Sequence, residues 1–446
     1  MSFRDNLPPS VAEIVQNGLL DGIFQDALVP TFLYDSLADL KPWASALGSQ
    51  SIFTRAGLIT PFATAITGAD ATADTYPFEQ FSVKMDQFGR SIDTNLAVSA
   101  QAMASKFIED NKTLGIPAAQ SLNLLAQNTL YGAYGEGTTF GLGNSSSVTV
   151  PVADASGFQY ASVALSTTSN VSGTLGAPAV TLVPVGTGAN ALPITINGVA
   201  ASCVGATVTA NHASDTITLA TAQAVTAGWA IVASNAPIQY RPQARASSNQ
   251  LVAGDIATLS LFESAVTRLR AMNVAPVNGA YQAHIGPQTI NELFQDTNFR
   301  QVYQGAYMSP AYANLSLGGQ NGAEYLGRFV GIDWFLNNVT PAVTSGVGPG
   351  ANLQGLQVFR PIVCGDGPLI KAPFENMGDL LSGLNAGSTV QIDMINGVAR
   401  IWRAPLDRLG QVVSSTWSWI GGYTVGTDLN TGDAAAYKRA VVIEHV

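Results

Sequence analysis

Charge is what this sequence has least of. Only 11% of its 446 residues are Asp, Glu, Lys or Arg, less than half of the roughly 25% usual in soluble domains. A free monomer normally covers itself with such side chains. A chain this poor in them is expected to hide much of its surface against copies of itself. Positive charge is scarcest: six lysines, none in a run, within a net charge of −10. That excludes a protein that grips nucleic acid through clustered phosphate contacts.

The residues that do chemistry are also few. Cys203 and Cys364 are far apart and have no metal or redox spacing, so both read as small buried thiols. His212, His284 and His445 are isolated in sequence and read as structural or solvated. No serine sits in a G-x-S-x-G elbow, no H-E-x-x-H occurs, and no lysine follows a glycine-rich loop, so nucleophile, zinc-protease and phosphate-loop signatures are all missing. Gly346-Val-Gly348-Pro-Gly350-Ala351 matches G-x-G-x-x-A, but Asn337-Asn338-Val-Thr-Pro341 precedes it instead of the strand a dinucleotide site requires, so it reads as a loop. Asp428-Leu-Asn430-Thr-Gly432-Asp433 lacks the Glu that completes a calcium loop and reads as a turn. The expectation is therefore no enzyme: no catalytic, cofactor-binding or metal residues, and no cofactor. No basic start or apolar run marks Met1 to Asn6 as a secretory signal, so cytoplasmic synthesis is expected. The charge-free run Ala155 to Ser214 is full of Ser, Thr, Asn and Gly, which is no bilayer span.

What is present falls into blocks. Ser10 and Glu13 suggest a capped helix over Val11 to Phe24 within an otherwise extended, proline-punctuated start. Phe81-Ser-Val-Lys-Met-Asp86 alternates as a strand, with Phe88-Gly89 as a turn or bulge; with Asp70 to Phe78 it suggests a long two-stranded loop. Asp93-Thr94-Asn95 offers helix caps before Leu96, Ala100, Met103 and Phe107. Gly115-Ile-Pro117 is expected to interrupt that helix, and Pro117 to open a second stretch carrying Leu122, Leu125 and Leu130.

From Gly141 to Tyr240 only Asp154 and Asp215 carry charge, and Thr, Val, Ser, Ala and Gly dominate. Short strands are expected at Val148 to Val152, Ile194 to Ile196, Ala206 to Thr209 and Thr216 to Leu219. This segment reads as a separate all-β insert. A helix follows with Ile256, Leu259, Phe262, Val266 and Leu269 on one face, and Ser260 with Glu263 as a possible capping box. Gly279 to Ile285 reads as a strand, Pro287 opens a helix carrying Ile290, Leu293 and Phe294, and Phe329 to Phe335 reads as strand again. Asn396-Gly397 between Val390 to Ile395 and Val398 to Ile401 is a type I′ hairpin signal, and Lys438 to Glu444 a final strand.

Four stretches in this order resemble one known family: Phe81 to Asp93; Asp255 to Leu293, above all Asn273-Val-Ala-Pro-Val-Asn-Gly-Ala-Tyr-Gln-Ala-His-Ile-Gly-Pro287; Gly327-Arg-Phe-Val-Gly-Ile-Asp333; and Ala404-Pro-Leu-Asp-Arg-Leu-Gly-Gln411 before a Trp-containing strand. They are similar, respectively, to the returning strand of the extended loop, the helix–strand–helix of the axial domain, a later axial strand and the C-terminus of the tailed-bacteriophage major capsid protein. Its fold, the Johnson fold, is shared with the herpesvirus capsid floor.

The resemblance implies an α+β fold with an N-terminal arm (residues 1–65), an extended loop (66–92), the spine helix of a peripheral domain (93–140), an inserted β domain (141–246), an axial domain (247–385), and peripheral strands with the C-terminus (386–446). It implies self-assembly as pentamers and hexamers into an icosahedral head in the virion, assembled in the host bacterial cytoplasm. The head would enclose double-stranded DNA without sequence-specific binding, and an acidic or neutral inner wall suits that. A portal and a decoration or cement protein are the further partners the resemblance implies, and no membrane. A spine helix starting near Asp93 leaves no room for a long charged scaffolding segment, so a separate scaffolding protein is expected. Lys84, in the extended loop, reads as a surface salt bridge or subunit contact instead of a cross-link. The competing reading is a secreted adhesin or surface-layer protein, suggested by the Thr- and Gly-rich insert.

Overall fold

A computed structural model describes residues 34, 37–42, 50–56, 78–95, 105–164, 180–307, 324–344, 346–375, 390–403, 412–426 and 439–446. The helix expected over Val11 to Phe24, residues Leu96, Ala100 and Met103, the Asp428 to Asp433 turn and the Ala404 to Gln411 segment lie outside them. The described strands form three six-stranded sheets and three separate pairs.

One helix runs through the frame. Ser105–Tyr134 is continuous for 30 residues with Pro117 inside it, so the expected break at Gly115 to Pro117 does not occur. Proline deletes one i→i−4 hydrogen bond. Here burial on both sides of it outweighs the loss: Leu114, Ala118, Ala119 and Leu122 pack against Ile395, Val398, Trp417 and Trp419 of the first sheet. The second half of the helix turns Ala126, Leu130, Tyr131 and Tyr134 onto Ile362, Cys364, Ala440 and Val442 of another sheet. Its start also differs from expectation. Asp93 to Asn95 finish the strand Asp86–Asn95, and Thr94 serves the helix from there, its Oγ1 donating to Asp110 Oδ2 at 2.6 Å.

The first sheet is organised by the 13-residue strand Val412–Thr424. It pairs antiparallel with Asp86–Asn95, Val398–Arg403 and Leu369–Pro373, and Ala38–Leu40 adds in parallel beyond Leu369–Pro373. Phe88-Gly89 is no turn. It lies inside a strand opposite Ser418 and Trp419, and glycine is required there because a Cβ at Gly89 would sit 2.7 Å from the Trp417 carbonyl oxygen. Asn396-Gly397 makes the expected turn, with φ of 50° and 80°, between Val390–Ile395 and Val398–Arg403. Phe78–Lys84 pairs with Gln50–Ala56, inside the range expected for the arm, and not with the Asp70 to Phe78 stretch.

The insert is a closed barrel. Its antiparallel strand order is Thr138–Phe140, Ala230–Ala233, Leu192–Ile196, Val199–Thr207, Thr216–Leu219 and Thr149–Pro151. The first and last of these meet through a Gly141–Val152 bridge, with Leu142 N donating to Pro151 O at 3.0 Å and Ala153 N to Phe140 O at 3.1 Å. Closure removes the exposed edges that short Thr- and Val-rich strands would otherwise present. Alternate residues face inward, as at Leu192, Ile194 and Ile196. They meet Val150, Phe158, Cys203, Ile217 and Ile231 in a core of the barrel's own. A separate hairpin, Tyr160–Ala164 with Val180–Pro184, stands beside it.

The third sheet has the order Gln239–Tyr240, Ala440–Ile443, Ile362–Cys364, Tyr281–Ile285, Ile332–Leu336 and Glu324–Phe329. The division expected at residues 385/386 does not follow the sheets: Leu369–Pro373 belongs to the first, and the terminal strand Ala440–Ile443 to the third. Helices Leu259–Ala271, Pro287–Leu293 and Thr297–Tyr307 cover one face, burying Phe262, Leu269, Leu293 and Phe299 around Trp334. The first of these helices is not capped by Ser260 and Glu263. Its free backbone N–H groups are met from the next helix pair: Ala257 N donates to Glu292 Oε2 at 2.8 Å and Leu259 N to Asp296 Oδ2 at 2.9 Å.

The expected single strand Phe329 to Phe335 is a hairpin instead, turning at Val330 and Gly331 with φ of 57° and 73°. A β-branched residue in the left-handed region is strained by about 1 kcal/mol or more. Val330→Asn should therefore raise stability by about 1 kcal/mol in denaturant titrations. An unchanged or lower midpoint would show that Val330 gains something from its exposed side.

Candidate functional site

The barrel leaves the frame just after the long helix and returns just before the third sheet, and both passages meet at one buried carboxylate. Glu444, 1% exposed, accepts from Arg241 Nε at 2.7 Å and is ion-paired with Arg360, whose Nε lies 3.0 Å away. Arg360 also donates from Nη2 to Gly135 O at 2.7 Å, closing the helix end, and its own carbonyl accepts from Tyr131 Oη at 2.6 Å. Arg241 reaches Thr138 Oγ1 at 3.1 Å, Ala246 O at 3.0 Å and Gln239 Oε1. Burial alone would raise the Glu444 carboxyl; the two guanidiniums more than reverse this and hold it below the usual carboxylate range.

A second buried group lies at the barrel base. Asp154 and Asp215 come together around His212, whose Nδ1 is 2.9 Å from Asp215 Oδ2 and 3.4 Å from Asp154 Oδ1. His212 is thus not isolated, contrary to its position in sequence. Two features could have signalled this: Asp154 and Asp215 are the only charged residues between Gly141 and Tyr240, and His212 is the only histidine there. Asp215 also accepts from Ala155 N at 2.9 Å, Thr209 N at 2.7 Å and Thr209 Oγ1 at 2.8 Å. Burial pushes its pKa up, but these bonds outweigh that and lower it. Asp154 accepts from Ser156 N at 2.8 Å, yet burial keeps its pKa raised. Glu136, beside it, is pushed up to about 8, first by burial and then by the Asp154 charge. The Gly346 to Ala351 loop closes over this group, with Gly348 N donating to Ala153 O at 2.7 Å. Only the two-residue strand Ala342–Val343 precedes that loop, and among the described residues no helix follows it directly.

The other candidates are packed into the frame. Cys203 and Cys364 are free and buried, and burial raises both thiols. His445 is held by Glu292 at 2.8 Å and Thr289 at 2.8 Å. His284 is sandwiched between the rings of Tyr34 and Phe335 at 5.3 and 5.4 Å, and neither ring nitrogen has a hydrogen-bond partner among the described residues. Lys84 forms a surface ion pair with Asp86 at 3.0 Å.

Two consequences can be measured. Glu444→Gln leaves two buried guanidiniums without their counter-charge, and should cost about 3–5 kcal/mol in thermal or denaturant unfolding. A loss under 1 kcal/mol would mean that the arginines find other partners. Burial lowers the pKa of His284 to about 4 from 6.5. The unfolded chain therefore takes up this proton first: its stabilisation is complete above pH 6.5 and is lost as pH falls toward 4. Between pH 7 and 4.5 the wild type should lose about 2 kcal/mol more than His284→Phe; equal losses would show that His284 does not carry the effect.

No protein-family model matches the chain, and no curated protein matches it. Solved structures do. The capsid of Ralstonia phage GP4 is similar at a TM-score of 0.50 and 14% identity, over 94% of this chain and 90% of that one. The capsid structure of cyanophage P-SCSP1u gives 0.46 and 11%, over 94% and 89%. The head structure of Helicobacter pylori bacteriophage KHP40 gives 0.41 and 10%, over 91% and 87%. Read with its long helix and mixed sheets, the chain has the fold of the tailed-phage major capsid protein, with a β-barrel set into it.

Proposed function

We infer that this chain is the major capsid protein of a tailed phage, a structural subunit that assembles with copies of itself into the head shell. The observation that carries the reading is the match to the Ralstonia phage GP4 capsid over nearly the full length of both chains. Composition supports it: few charges and many apolar residues suit a subunit that covers itself with its neighbours. Residues 1–33 act as the arm and the paired strands Gln50–Ala56 and Phe78–Lys84 as the extended loop, and the barrel projects from the shell, where it stabilises capsomers or docks a decoration protein. Pentamers and hexamers, a separate scaffolding protein and a portal complete the assembly in the host cytoplasm, around DNA that the acidic chain does not grip. An adhesin would need the β segment to stand alone. Here it is threaded between the long helix and the third sheet, which favours the shell.

Assembly of this kind multiplies weak contacts by overlap of arms and loops on neighbouring subunits. Ile23, Phe24, Phe32 and Leu33 are the apolar residues the arm would offer to a neighbouring subunit. An arm deletion must stop short of Tyr34, because Tyr34 and Leu37 belong to the frame core and Ala38–Leu40 to the first sheet. With residues 1–33 deleted, the chain should remain a soluble, folded subunit in sedimentation velocity, while the full chain forms fast-sedimenting particles. Particles from the shortened chain would remove the arm from the account.

A further inference from the structure

We propose that Asp154, His212 and Asp215 form a site for one divalent cation of the zinc class, set into the base of the barrel where the Gly346 to Ala351 loop closes over it. The inference is independent of the shell reading. The donor atoms of the three side chains, from two segments of the chain, lie within 4.8 Å of one another. Donors around a tetrahedral ion, each bound at about 2.0–2.2 Å, stand about 3.4 Å apart. The observed separations from His212 Nδ1, 2.9 and 3.4 Å, need only small adjustments to match. A proton on that nitrogen can be given fully to one carboxylate, whereas an ion serves both.

Charge balance points the same way. Two carboxylates, 2% and 0% exposed, face a single imidazole. The nearest guanidinium, Arg360, is already bound by Glu444. Buried acid in excess of buried base is costly unless a cation joins it. Both carboxylates are oriented from behind, Asp154 by Ser156 N and Asp215 by Thr209 and Ala155, as ligands with a supporting shell are. The His212 side chain is 24% exposed, which leaves an approach for the ion and for a water as its fourth ligand. One imidazole nitrogen among carboxylate oxygens suits Zn2+; Ca2+ and Mg2+ favour all-oxygen sites. The bound ion would tie the loop that follows strand Thr149–Pro151 to the turn before Thr216–Leu219, stiffening the barrel at its root.

The test uses the full chain, stripped with a chelator and then exposed to Zn2+, Ca2+ or Mg2+ alone, with bound metal counted by elemental analysis after gel filtration and by native mass spectrometry. Zinc should be retained at one ion per chain and raise the unfolding midpoint, and calcium and magnesium should do neither. His212→Ala leaves Asp215 its three bonds from Ala155 and Thr209, and Asp154→Asn keeps the side-chain volume. Each should weaken zinc binding at least tenfold while circular dichroism stays unchanged. Should Asp154→Asn fail to fold, His212→Ala alone decides. Wild-type chain that retains no stoichiometric zinc, or zinc retained equally by His212→Ala, would overturn the proposal. So would stabilisation by mild acid without zinc, which would assign the cluster to a shared proton.

Discussion

The Glu444 carboxylate, shared between Arg241 and Arg360, is the constraint on which the rest of the structure depends. Charges this deeply buried cannot drift, because separating them in a low-dielectric interior costs more than any single packing contact returns. Five parts of the chain are thereby pinned to one point: the helix end at Gly135, the barrel entry at Thr138, the return at Arg241, the third sheet beside Arg360, and the chain end at Glu444. The same guanidinium of Arg360 also opposes, without reversing, the burial that raises the pKa of Glu136 and Asp154 across the junction. The acids at the barrel base and the carboxylate at the chain end therefore draw on one cation, and a change at either is felt by the other.

The long helix carries that fixed point outward. Its first half lies on the sheet built around Val412–Thr424 and its second half on the sheet that holds Ala440–Ile443. Two sheets that share no strand are thus held by one element. Mixing of chain segments strengthens the arrangement: Leu369–Pro373 pairs into the first sheet and Ile362–Cys364, a few residues earlier, into the third. The barrel needs neither sheet for its core, since its interior closes on its own apolar residues. It is attached through its stem and through the Gly348 loop, which makes the junction the place where barrel and frame exchange information.

Much of this was legible in the sequence, where local chemistry and tertiary context agree. Asn396-Gly397 announces its turn because both residues tolerate positive φ, and the alternation on either side sets the register. The insert declares itself by losing nearly all charge. Reading failed where long-range packing overrides local preference. Val330-Gly331 turns a hairpin without the Asn or Asp that usually marks one. Gly89 looks like a turn residue but is there because a neighbouring strand approaches too closely for a side chain. Pro117 stays inside a helix because the sheet beneath it supports both sides. The Asp154, His212 and Asp215 group was beyond local reading altogether, since residues about 60 positions apart meet only when the barrel closes.

These features converge on a subunit whose frame is pinned at one buried junction and whose barrel is a rooted appendage. The central claim is that the chain builds a shell. Electron microscopy of the purified full-length chain, surveyed across ionic strength and with crowding agents that promote association, tests it most directly. The account predicts closed shells, or rings of five and six subunits. A protein that stays strictly monomeric under every condition would contradict it.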